Sequence, residues 1–388
     1  MKTFLAALLL LSAALSIPVS LTAAQDVEPT TFWKRLREKG LYERIWEATR
    51  LYENEDNRVI QAFSLIGRYH GQYWSVNADQ GAADDWENRR MFAGVEAQLF
   101  RDFTAQAQMN IRDDLSPVYG GLYQAFAQWK PNDALSASVG RIDYLFTGLE
   151  RSISSNRIST IERGLLVNQL MPGEIVGVIA RGEPGAFSYR AGVFSGSIED
   201  EFTSFAGGIG AMAGVGSSLP LFYEKGSLHL DYLYNDGHAS NNALEPYDHV
   251  ISLWHQGTTG AFSLGVDVTA GHGIDGRKAV GGVTFLPVYE IQKAMVRRED
   301  ALQAVLRYQY AASDGADGLE LQPRYEGEVA SGAVGDAYHA VYGGLNYLIF
   351  QQRFKVMTGA EYSVMNSSTL GHSSFKGWTY SAAVRMFF

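Results

Sequence analysis

Arg141, Arg151, Arg157 and Arg163 crowd one region of this chain, with Arg90, Arg112 and Arg190 to either side. A guanidinium keeps its charge and presents a planar fork of donors, so several together can replace the hydration of an anion. Set along a narrow wet passage, they would lower the electrostatic barrier to an anion crossing it. Other chemistries find less material. His70, His229, His238, His249, His255, His272, His339 and His372 are scattered, and no G-x-S-x-G elbow is present; residues 214–218 read GVGSS. The glycine-rich stretch 207–216 lacks the GxxxxGK[ST] pattern of a phosphate-cradling loop. No ligand spacing recommends a metal site, and no motif calls for a cofactor. The expectation is a protein that is not an enzyme.

Arginines act on a permeating ion only if some architecture turns them inward, and the C-terminus indicates which. In GWTYSAAVRMFF, residues 377–388, Trp378, Tyr380, Ala382, Val384, Met386 and Phe388 fall on one face at a period of two. Thr379, Ser381, Ala383, Arg385 and Phe387 fall on the other. An apolar terminal strand is a sticky edge in water, whereas a closed transmembrane barrel pairs it with the first strand. The terminal Phe with apolar residues at alternate positions also resembles the ending of bacterial outer-membrane proteins. At the other end, Lys2, an apolar run over residues 4–15 and small residues up to Ala24 read as a signal peptide, residues 1–24. No later window holds the roughly 18 uncharged apolar residues of a membrane helix.

Composition agrees. Gly 41, Tyr 21 and Phe 20 suit many strands with aromatic girdles, and Cys 0 suits export through an oxidising compartment. The net charge of −10, which becomes −11 once Lys2 leaves with the signal, argues against a nucleic-acid partner.

Alternation recurs along residues 59–388, the segment read as the barrel. Met91, Ala93, Val95, Ala97 and Leu99 oppose Arg90, Phe92, Gly94, Glu96 and Gln98. After a tight step at Arg101-Asp102, Phe103, Ala105, Ala107, Met109 and Ile111 oppose Thr104, Gln106, Gln108, Asn110 and Arg112. Tyr123, Ala125, Ala127 and Trp129 read as outward against Gln124 and Gln128, and residues 131–133 turn. Similar runs centre on residues 231, 266, 306 and 344. The polar members are amides, hydroxyls and isolated arginines, the lining of a wet lumen and not of a sandwich core. The fold class is thus all-β: a transmembrane antiparallel barrel of about 16 strands with a short N-terminal helix after a signal peptide. Turns at 101–102, 131–133 and 351–352 read as periplasmic. The connections 77–88, 195–205, 235–248 and 313–335 read as extracellular loops. Residues 25–58 form a lead-in, with Leu41, Ile45, Ala48 and Tyr52 at helical spacing between residues 31 and 52. That helix reads as a periplasmic segment packing on the barrel rim, with a plug or an oligomerisation contact as the alternatives.

Inward parity assigns Arg68, Arg90, Arg112, Arg190, Arg307, Lys355 and Arg385 to the lumen against Glu96, Asp231, Asp267 and Glu361, a mildly basic lining. The connection 144–171 is the longest of the first half and carries Arg151, Arg157 and Arg163 beside Glu150 and Glu162. Arg141, Arg151, Arg157 and Arg163 become the constriction candidates, with Arg90, Arg112 and Arg190 as wall contacts. For each one, pairing with a structural carboxylate is the competing role.

Several stretches together resemble the phosphate-selective porins O and P. They are LYENEDNRVIQAFSLIGRYHGQY (51–73), NRRMFAGVEAQLF (88–100) and LSASVGRIDYLFTGLERSISSNRISTIERGLLVNQLMPG (135–173). FSYRAGVFSG (187–196), AVLRYQYAASDG (304–315) and YGGLNYLIFQQRFKVMTGAEY (342–362) continue the likeness. The resemblance implies a 16-stranded barrel in the outer-membrane lipid of a bacterium, commonly a homotrimer, giving passive passage to small anions such as phosphate. In porins generally a loop folds inward as an eyelet, and 144–171 matches that region. One departure stands out: the long loops carry no run of lysines, and Lys278 and Lys293 stand alone. A general diffusion porin without anion selectivity, or a structural or adhesive barrel with an occluded lumen, therefore stays open beside the anion channel.

Overall fold

The computed structural model describes residues 40–388 apart from 200, 297–299 and 323. The expected signal peptide and the first part of the expected helix lie outside the described residues. Two units are separated at residues 48 and 49. The first contributes helix α1 (Leu41–Ala48), in which Glu43 caps the Gly40 amide at 2.8 Å. Tyr52 does not extend it: strand β1 (Arg50–Glu53) begins two residues later and belongs to the second unit.

That second unit is the barrel. Its first half comprises β2 (Ile60–Ala78), β3 (Gly81–Leu99), β4 (Phe103–Ile111), β5 (Tyr119–Asn132), β6 (Leu135–Asp143), β7 (Glu174–Gly182), β8 (Phe187–Ser195) and β9 (Ile209–Ser218). The second half runs β10 (Lys225–Asn235), β11 (Tyr247–Thr259), β12 (Phe262–Gly273), β13 (Val280–Lys293) and β14 (Ala301–Ser313). After the short β15 (Leu319–Glu320) and β16 (Val334–Gly335) it ends with β17 (Ala337–Gln352), β18 (Phe354–Ser367) and β19 (His372–Phe387). Leaving aside β1, β15 and β16, sixteen antiparallel strands close on themselves through the pairing of β19 with β2. Closure leaves no sheet edge to satisfy in lipid. The last residue completes it: Phe388 and Gly67 exchange two backbone hydrogen bonds of 3.0 Å each. A Cβ on Gly67 would stand 2.5 Å from the Phe388 ring, so only glycine leaves room for the terminal aromatic.

The period-two pattern sorts residues as alternation requires. Val341, Leu345, Leu306, Val268, Trp378 and Tyr380 are exposed on the outer wall, while Asn346, Arg307, Thr269, Thr379 and Arg385 are buried inside. Of the register slips along the strands, two change which residues line the lumen near loop 3. Between Gln108 and Met109 the register with β5 slips, so Tyr123 joins Gln124 in turning inward. Tyr123 thus faces the lumen, contrary to its apolar parity. A second slip between His70 and Gly71 leaves Arg89 as an extra residue on β3, beside Arg90.

The expected loop over residues 77–88 is instead strand. Asn77 pairs with Ala82 and Ala78 with Gly81, leaving residues 79–80 as the turn of a long hairpin. The polar run Asp84, Asp85, Glu87 and Asn88 imitates a loop, yet Trp74 and Ser75 of β2 hold it in register. Short connections alternate with long ones around the barrel, at 144–173, 196–208, 236–246 and 314–336 on the long-loop end. Loop 144–173 (loop 3 below) contains helix α2 (Leu165–Leu170), and loop 314–336 (loop 7 below) contains β15, β16 and a short 3-10 turn at Glu326–Glu328. Both fold into the barrel. Tyr144, Phe146, Leu165 and Leu170 of loop 3 pack with Leu319, Leu321 and Tyr325 of loop 7 and with wall residues such as Ile179, Phe194 and Val250. Each fully buried apolar side chain of this size is worth about 1.5–3 kcal/mol, so these loops are packed elements and not loose covers.

Candidate functional site: the constriction made by loop 3

Loop 3 crosses the lumen and is tied to the wall from several directions. At its start, Asp231 of β10 accepts from the Gly148 amide at 3.2 Å and Asp267 of β12 from the Leu149 amide at 2.8 Å. These buried acids hold the backbone of the loop. Further along, cationic and amide side chains of the wall donate to loop carbonyls. Lys355 reaches the Ile158 oxygen at 2.9 Å, Asn346 the Ser159 oxygen at 2.8 Å and Arg307 the Glu162 oxygen at 2.8 Å. Arg385 donates to the Ser155 oxygen at 3.1 Å and also to the Ile161 oxygen.

Arg307 is the most constrained of these. Its two terminal nitrogens bind Glu150 at 2.7 Å and Glu361 at 2.8 Å, joining loop 3, β14 and β18 through one buried cation. The base of the loop is closed by another buried pair, Arg151 with Asp143 at 2.9 Å; Arg151 also donates to the Pro172 carbonyl. Asp143 accepts the Tyr123 hydroxyl as well, at 2.8 Å.

On the side of β3–β6 the loop stands away from the wall. A cavity of about 420 Å³ lies there, lined by Arg89, Arg90, Asn110, Tyr123, Asp143 and Glu174 across from Arg151, Arg163 and Asn168 of loop 3. Four arginines face two carboxylates, so the lining is basic inside an acidic chain. Arg89 is spoken for: its Nε donates to Glu162 at 2.9 Å. Burial opposes ionisation of Glu162, but Arg89 and Arg90 overcome it and hold the carboxyl below its ordinary range. Burial and the neighbouring Arg151 bring Arg163 down to about 10, still a cation at neutral pH. Arg90 differs. Its Nη1 is buried with no hydrogen-bond partner, and its side chain makes no ion pair among the described residues. Beside it Phe92 stacks on Tyr123 at 4.0 Å, with the Arg68 guanidinium over Phe92 at 5.1 Å.

The remaining candidates separate accordingly. Arg163 lines the cavity while donating to the Glu150 and Ile153 carbonyls. Arg157 is exposed on loop 3. Arg141 is buried and donates to the Tyr123 carbonyl and, through Nη1, to the Glu199 and Glu201 carbonyls, which fastens loop 196–208. Arg190 pairs with Asp231 at 3.0 Å and reaches Ser152, tying wall to loop. Arg112 lies past the end of β4, exposed and bonded to Asp114, in the turn at 112–118. The structure thus brings Arg90, Arg151 and Arg163 to one cavity and leaves Arg112, Arg141 and Arg190 outside it. Parity could not find Arg89, which a bulge turns inward, or Glu162 and Tyr123 beside it.

The fold is that of porins. An anion-selective porin from Comamonas acidovorans superposes with a TM-score of 0.57 at 11% identity, over 84% of this chain and 99% of that one. The outer-membrane channel DcaP of Acinetobacter baumannii gives 0.54 at 10%, over 87% and 100%. OmpT of Vibrio cholerae in its trimer form gives 0.51 at 12%, over 84% and 99%. No curated protein sequence matches the chain. This chain is a porin-type barrel of the bacterial outer membrane, and its residues 63–239 match the family model of the phosphate-selective porins O and P.

Proposed function

We propose that the barrel is a channel, not an enzyme, and that small anions, phosphate among them, pass between loop 3 and the wall of β3–β6. The observation that carries this reading is Arg90: a guanidinium with an unpartnered buried nitrogen, facing a basic cavity large enough for a hydrated oxyanion. A buried donor left unsatisfied costs about 1–3 kcal/mol, a cost that a transient anion would relieve. Arg89, Arg151 and Arg163 add fixed positive charge, while their own bonds keep them in place. The family match and the anion-selective porin among the structural relatives support the same direction. A homotrimer is the assembly we expect, by likeness to the OmpT trimer, and native mass spectrometry in detergent tests it.

A second reading, a barrel with an occluded lumen, draws on the wall contacts that loop 3 makes with β10, β12, β14, β17, β18 and β19. Planar-bilayer recording separates the two. Purified protein in a KCl gradient should give discrete channels whose reversal potential favours chloride, and added phosphate should reduce the chloride current. Channels without preference or block would make it a general diffusion porin, and folded protein without channels would favour the occluded barrel.

A further inference from the structure

Loop 7 brings a carboxyl group into the barrel with no cation to meet it. Glu326 is buried in the 3-10 turn, and its Oε1 accepts from Thr379 of β19 at 2.7 Å. The charges around it are already committed. From β18, Glu361 faces it, but Glu361 holds one arm of Arg307, whose other arm holds Glu150. From loop 3, Glu162 is bound by Arg89, and Arg163 is turned to loop carbonyls. On loop 7 itself, Arg324 pairs with Glu87 of β3 at 2.7 Å, and Glu328 is the other acid of the 3-10 turn. From β17, Tyr338 and Tyr342 line the same small space. Glu326 has no ion pair among the described residues.

Loop 7 is also the second fastening of the constriction. The Tyr325 hydroxyl donates to Glu87 at 3.1 Å and to Glu162 at 3.3 Å, the same Glu162 oxygen that binds Arg89. Gln322 donates to the Arg163 carbonyl at 3.1 Å, and Gln169 of α2 to the Gly318 carbonyl at 2.8 Å. Releasing loop 7 would loosen the residues that line the cavity.

We propose that loop 7 is a proton-sensitive latch: its Glu326 enters the barrel as the neutral acid, and ionisation expels the turn and slackens the constriction. Two carboxylates and no free cation within the pocket make the neutral form the one that fits. Burial first, then Glu361, push the Glu326 carboxyl up to about 7. Because the latched form binds the proton more tightly, the latch is firmest below the ordinary carboxyl range and is lost as pH rises through about 7. Relative to an ordinary value of 4.5, the ratio of latched to released loop should fall by up to about 300-fold across that interval.

The absence of cysteine allows a direct test. Spin labels at Ser331→Cys on loop 7 and Asp79→Cys on the β2–β3 turn should report one short distance at pH 5 and a second, longer population at pH 8.5. Glu326→Gln, which keeps the shape and the acceptor for Thr379, should hold the short distance at both pH values. Glu326→Ala, a second variant without a carboxyl, should be equally insensitive to pH. Identical distances at pH 5 and 8.5 in the unsubstituted loop, or a Glu326→Gln protein that still responds, would overturn the proposal. The consequence for conduction rests on the channel reading above, but the distances do not. A barrel that conducts nothing could still show the latch, and an anion channel could lack it.

Discussion

Arg307→Met should lower the stability of the folded barrel by about 3–5 kcal/mol, the usual cost of removing one partner from a buried ion pair. The reasoning rests on what is left behind. Arg307 is 3% exposed and is the shared cation of Glu150 and Glu361, so its loss strands two carboxylates in one pocket. Methionine fills most of the volume, and the effect is therefore electrostatic more than steric. Glu150→Gln with Glu361→Gln in the same chain should recover most of the loss, because neutral amides tolerate the missing cation. Denaturant titration in detergent, read by the heat-modifiable gel shift of the barrel, measures both. The single variant should also conduct more than the parent, since the Glu162 carbonyl and the Glu150 side chain lose their tether to β14. Equal stability of Arg307→Met and the parent would contradict this account of how the loop is held.

Asp143→Ala should act at the base of loop 3 with an effect of comparable size, about 3–5 kcal/mol. Asp143 binds the buried Arg151 guanidinium and accepts the Tyr123 hydroxyl, so alanine leaves a charged donor and a phenol without their acceptor. Arg151 would keep only its bonds to the Pro172 carbonyl and to Gly173. The functional readout differs from that of Arg307. Here the slack falls beside the cavity, and channels should become noisy, with frequent substates, before they become larger. Single-channel records of the two variants at equal voltage distinguish these outcomes; steady currents from Asp143→Ala would argue against a base pinned by this pair.

Much of the barrel was legible in the sequence because alternation is a local property. Trp378 and Tyr380 outward with Thr379 and Arg385 inward needs no knowledge of any partner strand. What failed was whatever depended on pairing. Bulges at His70/Gly71 and Gln108/Met109 are set by the neighbouring strand, and they turned Arg89 and Tyr123 inward against their parity. The stretch 77–88 read as a loop because its acids look solvated, although β2 pairs with it throughout. For the site, the region was legible and the roles were not. The crowding of Arg141, Arg151, Arg157 and Arg163 marked the long connection, but composition cannot tell a guanidinium that faces solute from one that holds a carbonyl. Arg151 and Arg190 proved to be fastenings, while Arg90, named as a wall contact, has a buried Nη1 with no partner among the described residues and no ion pair. Loop 7 carried no such mark, since its inward fold depends on Tyr325 meeting Glu87 and Glu162, which are far away in sequence.

The most direct test of anion passage beside Arg90 is the reversal potential of Arg90→Glu in a KCl gradient, with Arg112→Glu as the control at the exposed turn. Arg90 makes no hydrogen bond or ion pair among the described residues, but its charge helps to hold Glu162 ionised, so the heat-modifiable gel shift first verifies that the variant barrel is folded. Reversing its charge within the cavity should cut the chloride-to-potassium permeability ratio on the order of tenfold or more, while Arg112→Glu stays close to the parent. An unchanged ratio in Arg90→Glu channels would mean that ions cross the barrel by another route.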